Sequence, residues 1–124
     1  MLRAMACCVL ALAALARPAA AGDDRAALDA LIEQHASANA LPVALVRQVI
    51  RRESNFNPHA VYRGNYGLMQ IRLGTARALG YRGAAEGLLD PATNMSYAVR
   101  YLAGAYRAAH GNEARTLVLY SRGY

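Results

Sequence analysis

One carboxyl group in this chain stands where it could work as an acid. Glu53 comes three residues after Ile50 and seven after Val46, so on a helix all three share a face. The apolar pair makes that the buried face. A carboxyl placed there is partly desolvated, which disfavours its anion and raises its pKa. It also falls at the end of the helix, where the negative pole of the macrodipole acts in the same direction. Arg51 and Arg52 are expected to point elsewhere around the helix. The outcome is a carboxylic acid still protonated near neutral pH, as a general acid that protonates a glycosidic oxygen must be. On this feature alone, an ordinary glutamate at a fraying helix end is the competing reading, because shifted carboxyls also occur in structural networks.

A second catalytic carboxylate is hard to find. Most glycosidases need two, at set separations. Asp23, Asp24, Asp29 and Glu33 fall on a first helix and Glu113 in the first turn of a last one. Glu86 sits in a glycine-flanked turn, and Asp90 reads as a helix cap; the sequence alone leaves both as possible cleft residues. His35, His59 and His110 lie far apart without ligand spacing, so neither a metal nor a cofactor is expected.

The elements that must hold these residues are helical. Asp23 or Asp24 can cap a first helix running to about His35, with Leu28, Leu31 and Ile32 on one face. Pro42 suits the first turn of a second, which carries Val43, Val46, Val49 and Ile50 toward Glu53. Residues 54 to 66 read as an ordered loop. A short helix through Thr75 and Leu79 should stop at Gly80. Asp90-Pro91 opens a long helix ended by Gly111, and Asn112 caps a last one that fades at Gly123. With much Ala and Leu and little β-branched content, the fold class expected is all-α, a compact single domain.

The N-terminus has the three-part layout of a secretory signal peptide. A positive start at Arg3 leads into an apolar run from Ala4 to Ala16, short of the roughly 20 residues that span a bilayer. Small residues at Ala19-Ala20-Ala21 then precede a polar turn. A signal peptide over residues 1–21 and one domain over 22–124 are expected, placing the mature protein in the periplasm or cell wall. Cys7 and Cys8 lie inside the apolar run, so the mature chain has no disulfide framework. The full sequence has a formal net charge of +6, with no lysine. A basic exported protein is drawn to acidic polymers such as the wall, or to anionic lipid. Nucleic acid is not expected, since the arginines are scattered and no binding motif accompanies them.

Further residues carry a resemblance. Glu53-Ser54 leads into Phe56-Asn57-Pro58, and after a loop comes Gly67-Leu68-Met69-Gln70-Ile71. Ala98 and Tyr101-Leu102 follow on the long helix, and Tyr120 near the end of the last. In order and spacing these resemble the catalytic domain of soluble lytic murein transglycosylases, within the lysozyme-like superfamily, from about Leu41 to Tyr124. The resemblance implies peptidoglycan glycan strands as substrate and Glu53 as the single catalytic acid/base. It would protonate the oxygen between N-acetylmuramic acid and N-acetylglucosamine, then serve as base on the muramoyl 6-hydroxyl to give a 1,6-anhydro end without consuming water. It further implies that Met69 and Gln70 line the sugar cleft and that Tyr120 helps hold the acetamido group and the glutamate.

The remaining site residues keep two readings each. Ser54 bonds Glu53 or substrate, or ends the helix. Gly67 permits close backbone approach, or is a plain turn glycine. Tyr101 stacks on a sugar, or packs beside Leu102 and Tyr97. For Met69 the competing reading is core filler. Two departures from the family pattern stand out: Ser121-Arg122 follows Tyr120 where an asparagine is usual, and Arg72 occupies a segment where a Met-Pro pair often precedes Thr-Ala. Arg72 is read as a change at the cleft rim, while Ser121 is assigned no role. A lysozyme-type hydrolase and a catalytically silent wall-binding protein of the same fold are the alternatives. A monomer is expected, with secretion or flagellar machinery of the envelope as a possible partner. A gene product cut short just after the active site is also compatible with the end at Tyr124.

Overall fold

Five helices and a small sheet make up residues 21–124, the part of the chain that the computed structural model describes. The expected signal peptide lies outside the described residues, apart from Ala21, as do Cys7 and Cys8. The helices are α1 (Ala21–Ala38), α2 (Val43–Ser54), α3 (Leu73–Ala78), α4 (Pro91–Ala108) and α5 (Glu113–Arg122). A 3-10 turn, Ala85–Leu89, precedes α4. No helix among the described residues is long and apolar enough to cross a membrane.

The helix signals mostly act as their chemistry requires. Asp90 caps α4 by accepting from the Thr93 backbone N–H, with Pro91 at the first helical position. Asn112 caps α5 through Arg115 in the same way. α4 ends near Ala108, and His110 and Gly111 both take positive φ as the chain turns away. The start of α1 differs from expectation. The helix is already under way at Ala21, so Asp23 and Asp24 fall inside its first turns instead of capping it. It also continues past His35 to Ala38. Pro42 takes the N-cap position of α2, one residue ahead of the helix.

Between α2 and α3 lies a three-stranded antiparallel sheet, with β1 (Val61–Tyr62) and β2 (Asn65–Tyr66) inside the expected loop and β3 (Ile71–Arg72) beyond it. Val61 pairs with Tyr66 and Tyr62 with Asn65, leaving Arg63-Gly64 as a two-residue turn. Both turn residues have positive φ, 50° and 76°, the condition for a hairpin turn whose twist matches that of its strands.

The core lies where α4 meets α1 and α5, with α2 packed along α1. Ile32 from α1 and Val46, Val49 and Ile50 from α2 are buried in one cluster with Met95, Ala98, Val99 and Leu102 of α4. Truncating one such Leu or Ile to Ala typically costs about 2–5 kcal/mol. Leu68, Met69 and Ile71 join this cluster, so the segment before α3 is anchored in the core, with part of it facing an open cleft.

Candidate active site

Glu53 occupies the last turn of α2, which ends as Asn55 adopts a left-handed conformation and donates its backbone N–H to Arg51 O. The apolar face that includes Val46 and Ile50 pins the helix, and Glu53 emerges half-buried at its end. Burial pushes its carboxyl up from the ordinary value, and the positive charge of Arg52 pulls in the opposite direction. The upward direction matches the argument from helix spacing. The expectation that Arg52 points away does not hold: it lines the same cleft as Glu53.

That cleft encloses about 600 Å³. Arg52 and Glu53 from α2, Tyr62 and Asn65 from the hairpin, Gln70 and Arg72 near β3, Tyr101 from α4, and Tyr120 and Arg122 from α5 all line it. Glu53 is the only carboxylate on its wall among the described residues. Asp90 is held elsewhere, its carboxylate accepting from both the backbone and the hydroxyl of Thr93. Glu86 does not line the cleft either.

Tyr120 is almost wholly buried, and its hydroxyl donates to Met69 O at 2.7 Å. Burial, and then the nearby charge of Glu53, push its pKa well above the usual tyrosine range. It therefore stays a neutral phenol. With its proton committed to Met69, its oxygen lone pairs remain as acceptors. Tyr101 does reach the cleft, but its ring already has aromatic neighbours. Tyr120 lies tilted at 5.4 Å between centroids, and Tyr124 stacks at 5.0 Å.

Gln70 takes positive φ, 52°, and its side-chain amide donates to Ala60 O and Gly67 O. Those bonds fix it as part of the cleft wall. Met69 requires a correction: its side chain has no exposed surface, so it fills core and cannot line the cleft. What it offers the site is its backbone, the carbonyl to Tyr120 and the N–H to Asn94.

Ser54 bonds neither Glu53 nor the cleft, because its hydroxyl is directed to Leu68 O at 2.7 Å. It thereby ties the end of α2 to the loop. Gly67 does permit close approach, though by the protein itself. A Cβ there would lie 2.5 Å from Asn94 Nδ2 and 2.6 Å from Leu88 O.

Asn94 carries a positioning role that motif spacing does not reveal. Fully buried on α4, it accepts from Met69 N–H and donates to Tyr66 O and Leu88 O. It holds the Gly67–Met69 loop against the helix that also carries Tyr101. Ser121, assigned no role from sequence, also faces the cleft. Tyr62 and Asn65 were hidden by the unread hairpin. A short polar residue in an apolar helical stripe was the available signal for Asn94.

The profile of the transglycosylase SLT domain matches residues 30–124. Peptidoglycan transglycosylase gp16 of Escherichia phage T7 is 34% identical over 99 residues, covering 77% of this chain and 8% of the phage protein. The fold is similar to that of the 70-kDa soluble lytic transglycosylase solved in complex with bulgecin A. The TM-score is 0.74 and the identity 28%, over 82% of this chain and 18% of that one. The chain therefore spans a small part of the length of both proteins. This chain belongs to the transglycosylase SLT domain family.

Proposed function

We propose that this protein is a peptidoglycan lytic transglycosylase in which Glu53 alone performs the acid and base steps. The observation that carries this is the solitary carboxylate on the cleft wall, half-buried and raised in pKa. Retaining and inverting hydrolases both place a second carboxyl within about 5–10 Å of the first. A cleft with one carboxylate suits a reaction in which the substrate supplies the other groups.

In that scheme protonated Glu53 delivers its proton to the oxygen linking N-acetylmuramic acid to N-acetylglucosamine. As the bond breaks, the acetamido oxygen of the muramoyl sugar stabilises the oxocarbenium-like centre. Glu53, now a carboxylate, takes the proton of the 6-hydroxyl, and that oxygen closes on the anomeric carbon. The product carries a 1,6-anhydro ring, and Glu53 has regained its proton.

Tyr120 lies near Glu53 as a neutral phenol, while Gln70, Tyr62 and Asn65 offer polar and aromatic contacts to the sugars. Membership of the SLT family and the names of its relatives support peptidoglycan as substrate. Action in the periplasm or wall, after export, goes with that substrate. The test is Glu53→Gln: a folded protein that binds glycan but solubilises purified sacculi roughly 10²–10⁴-fold more slowly. Unchanged solubilisation would remove Glu53 from the mechanism. A wall-binding protein without turnover would lose nothing by the change.

A further inference from the structure

Among the described residues the cleft wall carries three guanidinium groups for its one carboxyl: Arg52 from α2, Arg72 from β3 and Arg122 from α5. They come from three different elements, so their convergence follows from the fold and not from a run of charge in the sequence. All three are exposed. Among the described residues the ion pairs are those of Arg47 with Asp29 and Glu33, away from this cleft. The three cleft arginines therefore keep their charge available to a ligand. When Glu53 holds its proton, the wall has three positive charges and no negative one.

Neutral sugars give no reason for such a wall. Peptidoglycan differs from chitin in bearing a lactyl ether at the 3-position of alternate sugars. This ends in a carboxylate on peptide-free strands and in a peptide with its own carboxylates on substituted ones. We propose that Arg52, Arg72 and Arg122 form an anion subsite that holds these 3-position carboxylates beside the bond to be cut. The inference rests on the transglycosylase reading and adds a basis for choosing strands. Arginine suits the task because its planar fork can meet a carboxylate with two parallel hydrogen bonds. A carboxylate docked at Arg52 would also offset the charge that opposes protonation of Glu53, so the correct substrate would help keep the acid in its working form.

The experiment measures binding by the Glu53→Gln protein, which prevents turnover during titration. Four probes are used at low ionic strength: peptide-free glycan strands and peptide-bearing strands, each also with its carboxylates converted to neutral methylamides. The expected result is that carboxylate-bearing strands bind about tenfold more tightly than the methylamides, a few-fold for each exposed arginine. Added salt should shrink that difference. Adding Arg52→Gln, Arg72→Gln and Arg122→Gln together should abolish it, while the corresponding lysine substitutions, which keep the charge but not the fork, should retain part of it. Tighter binding of peptide-free strands supports the subsite with the lactyl carboxylate as its ligand. Tighter binding of peptide-bearing strands supports it with the stem carboxylates. Equal affinity for carboxylate and methylamide strands would overturn the anion subsite and leave the transglycosylase reading standing. No affinity for any strand would overturn both.

Discussion

The Tyr120 hydroxyl donates to the Met69 carbonyl at 2.7 Å, across 51 positions of sequence. This bond joins the last helix to the loop behind the cleft and sets the phenol beside Glu53. Tyr120→Phe leaves a buried carbonyl without its partner, at a cost of about 1–3 kcal/mol. The variant should fold with a lower urea midpoint and retain only part of the wild-type activity. Unchanged kinetics would remove Tyr120 from the site.

Asn94 and Gly67 form one packing unit, and each should be sensitive to change. Gly67→Ala puts a side chain on a backbone at φ +71° and against Asn94 and Leu88, for an expected loss of about 3 kcal/mol. Asn94→Ala strands two carbonyls and one N–H, with a loss of similar size. Chemical denaturation of both variants checks this; a loss below about 1 kcal/mol in either would contradict it.

The charge of Arg52 lowers the Glu53 pKa against the upward effect of burial. The first chemical step needs Glu53 protonated, so activity falls as pH rises through its pKa. Arg52→Gln removes the opposing charge, and the alkaline limb of kcat/KM, which reports the free enzyme, should therefore move to higher pH. A limb that stays put or moves lower would show that Arg52 does not act on the acid.

Glu53 should also weaken the fold at neutral pH. Its carboxyl has an ordinary value of 4.5 and is raised in the folded protein. Well below 4.5 both states hold the proton, and the group has no effect on stability. As pH rises through 4.5 the unfolded chain ionises first, so stability falls until the folded pKa is passed. Glu53→Gln should accordingly raise the thermal midpoint at pH 7 and leave it unchanged in acid, as calorimetry at the two pH values would record.

Much of this arrangement was legible in the sequence because helical periodicity is a strong signal. Val46, Ile50 and Glu53 share a face whatever the rest of the chain does, and the caps at Asp90 and Asn112 are local chemistry. The hairpin was not legible, since strands of two residues cannot display alternation and Arg-Gly is a weaker turn signal than Asn-Gly. Met69 was misplaced because a short loop motif does not reveal whether a residue contributes its side chain or its carbonyl. Arg52 follows a related logic. A residue adjacent to Glu53 sits about 100° around the helix, which suggested separate faces, yet at the helix end both reach the open cleft.

What happens after the glycosidic bond breaks is recorded in the product. Purified sacculi are digested with the protein, and the released muropeptides are weighed by mass spectrometry. Intramolecular closure on the 6-hydroxyl predicts products lighter by one water than their hydrolysed counterparts, with no reducing muramoyl end. Reducing ends at full mass would contradict it, and would make the protein a lysozyme-type hydrolase in which water attacks beside Glu53.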